Sequence, residues 1–314
     1  WGSKFGQGSG KYNLSMNSNS KIMQKHGKTF FWASLFLKGS EAKKIYSIYA
    51  FCRNVDDIVD ERNKVTQSDY DLKKIINSWR KNRNDSIYQS FYEGKKNLLK
   101  VEKAVLEEFY NGQESDVLQV QPINISELLV YCYRVAGVVG LMVCNALNIN
   151  DKSMRFYAID LGIAMQLTNI ARDIYEDAQK ERIYLPKSLV GKIGAETLLK
   201  PSKSERLLIN NARDNLIKKA EIYYESALNG IDSLPNASTQ RAVRIAARLY
   251  RHIGIKIIKR GISYNMPRVY LNTYEKIFFT IKNIKNKKKG MNVLRKHNAN
   301  LHASLSNLPY TNNQ

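Results

Sequence analysis

The chain has 314 residues, 43% of them hydrophobic, and a formal net charge of +22. That balance excludes wholesale disorder and leaves room for a substantial core. Its three cysteines, Cys52, Cys132 and Cys144, lack metal-ligand spacing, which excludes a disulfide-stapled scaffold and fits a reducing compartment.

Residues 1–20 open with Trp1 to Gly10, rich in Gly and Ser and without hydrophobic period, and read as a flexible leader or appended remnant. No acidic residue precedes Glu41, while six lysines do. From Ile22 to about Gly261 the pattern is helical. The first of only six prolines is Pro122, so long helices fit in the first third. Tyr46, Tyr49, Ile58 and Val59 recur at helical spacing, as do Leu161, Ala164, Met165 and Thr168. Sustained strand alternation is missing, and no repeat or Gly/Ser-rich linker interrupts residues 41–275. The expectation is an all-α protein with one helical domain over 21–275.

Residues 276–314 form a basic polar C-terminal tail with eight Lys/Arg and no acid; the two ends together hold fourteen of the +22. Its densest run, Lys285 to Lys289, sits beside an Asn-rich stretch rather than on a folded face with base-reading aromatics, which argues against nucleic acid. A solvated tail is the plain reading, and attraction to an anionic membrane surface is the alternative. The longest apolar run, Val135 to Cys144, is half of the roughly 20 residues a spanning helix needs. The protein is therefore expected to be cytoplasmic and peripherally membrane-associated.

Two segments carry chemistry. In Tyr49-Ala-Phe-Cys-Arg53-Asn-Val-Asp56-Asp57-Ile-Val-Asp60-Glu61, a helix puts Asp56 and Asp60 on one face with Arg53 a turn before them. In Gln166-Leu-Thr-Asn169-Ile-Ala-Arg172-Asp173-Ile-Tyr-Glu-Asp177, Asn169, Asp173 and Asp177 form an i, i+4, i+8 ladder. Like charges at that spacing destabilise an isolated helix. Carboxylate and amide oxygens so arranged suit Mg²⁺, a hard cation that keeps several waters and binds through few carboxylates plus substrate phosphates. The interleaved arginines suit phosphate oxygens. A salt-bridged solvent face explains one such motif as well, but two embedded in apolar helices favour the metal reading.

Between the motifs runs Tyr131-Cys-Tyr133-Arg134-Val-Ala-Gly137-Val-Val-Gly140-Leu-Met, an apolar helix whose glycines permit close approach of a ligand or of a neighbouring backbone. After the second motif, Lys180-Glu-Arg182-Ile-Tyr184-Leu-Pro186 is a basic-aromatic loop able to close over phosphate.

These stretches, with His26-Gly-Lys-Thr29-Phe30 and Ala246-Ala-Arg-Leu-Tyr250, resemble the squalene/phytoene synthase family of head-to-head prenyltransferases, and within it the bacterial phytoene synthases. The likeness spans roughly residues 22–275. It implies an isoprenoid-synthase-type helical bundle around a central apolar cavity, with a Mg²⁺ cluster (Mn²⁺ as a substitute) that holds two allylic prenyl diphosphates. On that resemblance Asp56, Asp60, Asn169, Asp173 and Asp177 are the metal ligands. Tyr49, Arg53, Tyr133, Gln166, Arg172 and Tyr250 line the reaction region. His26, Thr29, Arg53, Arg182, Tyr184 and Arg268 bind diphosphate. Where relatives carry Ser-x-Ser-Phe near the N-terminus, this chain has Gly27-Lys28-Thr29-Phe30, one hydroxyl fewer.

The implied reaction condenses two geranylgeranyl diphosphates to phytoene through a cyclopropylcarbinyl diphosphate, a step of carotenoid biosynthesis. The alternatives are a C15-using squalene, dehydrosqualene or hydroxysqualene synthase, and a non-catalytic prenyl-lipid-binding or assembly-factor relative. No Gly-rich nucleotide loop is present, and no nucleotide cofactor is expected.

Overall fold

Helices make up nearly all the regular structure of the computed structural model, which describes residues 18–60, 87–88, 99–261, 268–285 and 296–312. In chain order they are α1 (Ser18–His26), α2 (Lys28–Ser34), α3 (Gly39–Asp60) and α4 (Lys103–Leu118). Next come α5 (Ile125–Cys132), a π-helical turn (Tyr133–Gly137) and α6 (Val138–Ala146), then α7 (Lys152–Arg172) and α8 (Ile174–Gln179). The short α9 (Lys187–Val190) and α10 (Ala195–Leu199) lead to the long α11 (Lys203–Gly230) and α12 (Ala237–Arg260). Last are α13 (Thr273–Lys285) and a 3-10 segment, Ala299–Leu305. A two-residue antiparallel ladder, β1 (Ile87–Tyr88) with β2 (Leu99–Lys100), pairs Ile87 with Lys100 and Tyr88 with Leu99.

Local chemistry sets several helix starts. Asn124 accepts from the Glu127 amide at 3.0 Å, and Asp151 from the Ser153 amide at 2.8 Å. Ser202 and Glu205 form a reciprocal capping box at the start of α11. Each such cap contributes on the order of 1 kcal/mol. In α12, Ala242, Ile245, Ala246, Leu249, Tyr250, Ile253 and Ile257 are buried, the repeat of an amphipathic helix laid on a core.

The core is organised around α7. Ile159, Ile163, Ala164, Leu167 and Thr168 are all 0% exposed, and no residue from Met154 to Arg172 is exposed, as suits a central helix. It packs most extensively against α11 and also touches α6 and α12. Its approach to the π turn and α6 is backbone-tight: a Cβ on Gly162 would lie 2.3 Å from the Ala136 carbonyl oxygen, and one on Gly140 would lie 2.4 Å from that of Ala158. The glycines of the apolar segment thus serve helix–helix packing, one of the two readings its sequence allowed. By length and composition Ile125–Ala146 is apolar enough to cross a membrane, yet half of its most apolar window is buried inside the protein.

Both chain ends depart from the sequence reading. Residues 1–17 lie outside the described residues, but Ser18 to Ser20 already belong to α1, where Asn19 and Ser20 are buried. At the other end, α13 runs across the expected boundary at 275. Trp32 Nε1 donates to Thr280 Oγ1 at 3.0 Å, and Lys256 pairs with Glu275 at 2.7 Å. Residues 296–312 dock onto the helices: Leu305 is 0% exposed, Tyr223 donates to the Leu301 carbonyl at 2.7 Å, and Tyr133 to that of Pro309 at 2.6 Å. Leu301, Leu305, Leu308 and Tyr310 add apolar surface to the core, which composition alone concealed among polar neighbours.

Candidate active site

The last turns of α3 and α7 meet at one cavity of about 300 Å³. Arg53 and Asp56 reach it from α3; Gln166, Asn169, Arg172 and Asp173 from the end of α7; Glu176 and Asp177 from α8. Lys180, Arg182 and Tyr184 close it from the following loop, and Arg268 from the segment before α13. Two acidic motifs more than a hundred residues apart therefore share one opening. Val59, Val135 and Ile170 supply apolar wall. A smaller adjoining space is lined by Ile170, Ile174, Leu185 and Leu198 together with Asp177, Arg182 and Tyr184. The larger opening is polar, and neither space is a long apolar tunnel.

The second motif is not one uninterrupted helix. Asp173 breaks it with φ −105° and ψ 17°, ending α7 and starting α8. The helical hydrogen bonds nevertheless continue across the break, from the Asp173 amide to Asn169 at 2.9 Å and from the Asp177 amide to Asp173 at 2.8 Å. The ladder spacing survives. Asp173 is held by Arg172 at 2.6 Å and by Arg268 at 2.7 Å. Arg53 pairs with Asp57 one turn on, and Asp56 accepts from Gln113 Nε2 at 3.0 Å.

Three observations bear on whether a cation fits. Asn169 Oδ1 is buried and has no hydrogen-bond partner among the described residues, a costly state for an amide oxygen unless something else satisfies it. Desolvation, with Asp173 and Asp116 nearby, pushes the Asp177 carboxyl up to about 8, against the pull of Arg182 and Lys180. All these donors are oxygens, the set a hard divalent cation takes. The residues fit Mg²⁺, with Asp56, Asn169, Asp173 and Asp177 as the oxygens on hand. Asp60 ends α3, but its side chain lies outside what is described.

Other predicted residues stand away from the opening. Tyr49, Tyr133, Tyr250, His26 and Thr29 are not among its lining. Tyr133 is 0% exposed and spends its hydroxyl on the Pro309 carbonyl. Tyr250 lies behind Arg172, with the Phe30 ring at 4.9 Å, and Phe30 is 6.3 Å from Tyr49. Burial raises the Tyr49 and Tyr250 hydroxyls, so both stay protonated. Gly27 gives the Tyr49 ring its place, since a Cβ there would sit 2.7 Å from the ring. His26 is exposed at the end of α1, its imidazole lowered by burial and by Arg53.

Sequence reading missed the contribution of α4. Gln113 and Asp116, one turn apart, both line the cavity. Asp116 accepts from Tyr184 at 2.7 Å and from Tyr131 at 3.1 Å, and those rings stack at 5.0 Å. This fixes the basic loop over the opening. The signal was an isolated Gln-x-x-Asp pair, too common to single out.

Known proteins resemble this chain in sequence and in fold. Residues 23–275 match the family model described as squalene/phytoene synthase. The chain is similar to 15-cis-phytoene synthases of Enterobacter agglomerans and Pantoea ananas, each at 30% identity, covering 81% and 83% of this chain and 90% and 88% of theirs. It also superimposes on the crystal structure of a dehydrosqualene synthase in complex with ligand, with TM-score 0.67 and 27% identity over 85% of this chain and 94% of that one. The chain belongs to the squalene/phytoene synthase family of prenyltransferases.

Proposed function

We propose that this enzyme condenses two geranylgeranyl diphosphates head to head to phytoene, with Mg²⁺ held between the acidic motifs. The observation that carries the reading is the shared cavity, where Asp56 faces Asn169, Asp173 and Asp177 and the Asn169 oxygen has no protein partner among the described residues. The similarity to two 15-cis-phytoene synthases supports the C20 substrate.

When bound, Mg²⁺ supplies Lewis acidity toward the leaving diphosphate. The chain's own residues do the rest. Arg53, Arg172, Arg182, Arg268 and Lys180 surround the opening with cations that complement a diphosphate. Tyr184, tied to Asp116, holds the loop across the mouth. Val59, Val135 and Ile170 keep water from the allylic cation that forms when diphosphate departs. Tyr250, behind Arg172 and packed against Phe30, backs the cationic wall of the opening. Attack by the second substrate's double bond gives a cyclopropylcarbinyl diphosphate, whose ionisation, rearrangement and proton loss yield the hydrocarbon.

A C15 reading is favoured by one observation, the likeness to a dehydrosqualene synthase. One experiment separates the two. Incubation with Mg²⁺ and either C15 or C20 allylic diphosphate, followed by mass analysis of the hydrocarbon, gives a C40 product on this account. A C30 product alone supports the C15 reading, and no product from either substrate favours a non-catalytic relative.

We further propose a peripheral membrane site, where an oily product can leave. Tyr274, Phe278 and Ile281 on α13 are 84%, 60% and 48% exposed. They recur at i, i+4 and i+7 beside Lys276 and Lys282, the pattern of an interfacial helix on an anionic surface.

A further inference from the structure

Two of the chain's four histidines converge on one carboxylate far from the reaction cavity. Asp160, near the middle of α7, is 0% exposed; His302 and His297, from the C-terminal segment, are 2% and 9% exposed. His302 Nε2 lies 2.8 Å from Asp160 Oδ1, and His297 Nε2 lies 2.9 Å from Oδ2. One donor atom from each of the three residues falls within 4.8 Å of the others. Asp160 precedes Asn169 by nine residues on the same helix, about 13 Å along its axis. None of the three lines the cavity.

We propose that Asp160, His297 and His302 form a structural zinc site that pins the C-terminal segment to α7. Two imidazole nitrogens and a carboxylate are a borderline-soft donor set, suited to Zn²⁺ and poorly suited to Mg²⁺ or Ca²⁺. His297-Asn-Ala-Asn-Leu-His302 has the H-x₄-H spacing of zinc ligands. The nitrogen–oxygen separations of 2.8 and 2.9 Å are hydrogen-bond distances, so an ion at roughly 2.1 Å from each donor requires them to part to a tetrahedral spacing of about 3.4 Å.

The surroundings orient these ligands. His302 Nδ1 faces the Thr311 carbonyl at 3.3 Å, which fixes its proton there and leaves the Nε2 lone pair for a metal. Ser226 Oγ donates to Asp160 Oδ2 at 2.5 Å. Phe156 stacks on the His297 ring at 5.1 Å, and Tyr157 meets it edge-on at 5.4 Å. With the site enclosed, no position is left for substrate, which makes it a fastening rather than a second catalytic centre.

What it fastens reaches the catalytic helices from behind. The same segment takes the Tyr133 hydroxyl at Pro309 and the Tyr223 hydroxyl at Leu301, and its Tyr310 ring receives the Arg155 guanidinium at 4.2 Å.

The full chain, purified without an affinity tag that binds metal and dialysed, is to be assayed for metal by plasma mass spectrometry. It is then stripped and titrated with Zn²⁺ while melting is followed. The expected result is about one zinc per chain, a melting temperature raised by several degrees on zinc return, and loss of both in His302→Ala. Asp173→Asn, outside the site, retains the metal. Should His302→Ala fail to fold, Co²⁺ titration of the unaltered chain still reports the site, through the visible absorption of tetrahedral nitrogen–oxygen ligation. The same spacings also suit a protonated imidazole bonded to the carboxylate. A chain that takes up no zinc, melts identically with and without it and gives no cobalt spectrum contains that ion pair instead, and overturns the proposal. Turnover with Mg²⁺ is measured separately, so the two readings fail independently.

Discussion

Gln113 Nε2 donates to Asp56 Oδ1 at 3.0 Å, joining α4 to the first acidic motif at the cavity wall. We expect this amide to help orient Asp56 toward the second motif. Partners that orient metal ligands typically contribute 10–100-fold to affinity or activity. Gln113→Leu is therefore expected to raise the Mg²⁺ concentration for half-maximal rate by about tenfold, with little change in melting temperature. An unchanged Mg²⁺ dependence would show that Asp56 needs no such support.

Asp177 ties activity to a stability cost. Its folded carboxyl titrates near 8, against the ordinary 3.8. Between those values the folded chain keeps a proton that the unfolded chain releases, so with no divalent cation added stability falls as pH rises from about 4 to about 8. Asp177→Asn removes that slope. The variant should melt a few degrees above the unaltered chain at pH 8, with the difference closing toward pH 4, while turnover is lost. A variant that melts lower at pH 8 would contradict the assigned cause.

Tight packing of α7 on the π turn is equally testable. Gly162→Ala drives a methyl to 2.3 Å from the Ala136 carbonyl oxygen, and overpacking of that kind costs about 1–3 kcal/mol or more. Thermal denaturation should show a drop of several degrees at least, whereas Gly194→Ala, with nothing within 4 Å, should leave melting nearly unchanged. Equal effects at the two positions would remove the close-approach argument.

Exposed aromatics on α13 predict membrane binding that depends on both grease and charge. The protein should co-sediment with phosphatidylglycerol vesicles at low salt and much less with phosphatidylcholine vesicles. Replacing Tyr274 and Phe278 by Ser should weaken sedimentation several-fold without changing turnover of detergent-dispersed substrate. If the double variant sediments as before, α13 is not the contact.

The acidic motifs were legible because carboxylates at i, i+4 within apolar helices are energetically odd and so announce themselves; Asp56, Asp60, Asn169, Asp173 and Asp177 were all named from spacing, and all but Asp60, whose side chain lies outside what is described, line the cavity. The single-domain helical architecture followed from proline placement and period. Gln113 and Asp116 escaped because an amide and one acid on a half-buried helix look like ordinary surface. Tyr133 was placed in the reaction region by the family resemblance, and its hydroxyl is spent on the Pro309 carbonyl. Docking of residues 296–312 was hidden because a few leucines, a tyrosine and two histidines dispersed among Asn and Ser carry no period, and their burial depends on partners such as Asp160 and Tyr223 distant in sequence.

Both acidic motifs serve one cation site in the proposed function, and metal binding tests this apart from turnover. Mn²⁺ can be titrated by electron paramagnetic resonance, in the presence of inorganic diphosphate, into the unaltered chain, Asp56→Asn and Asp173→Asn, each checked for helicity. Each substitution is expected to weaken Mn²⁺ binding by about tenfold or more. Binding in Asp56→Asn equal to that of the unaltered chain would contradict the shared site.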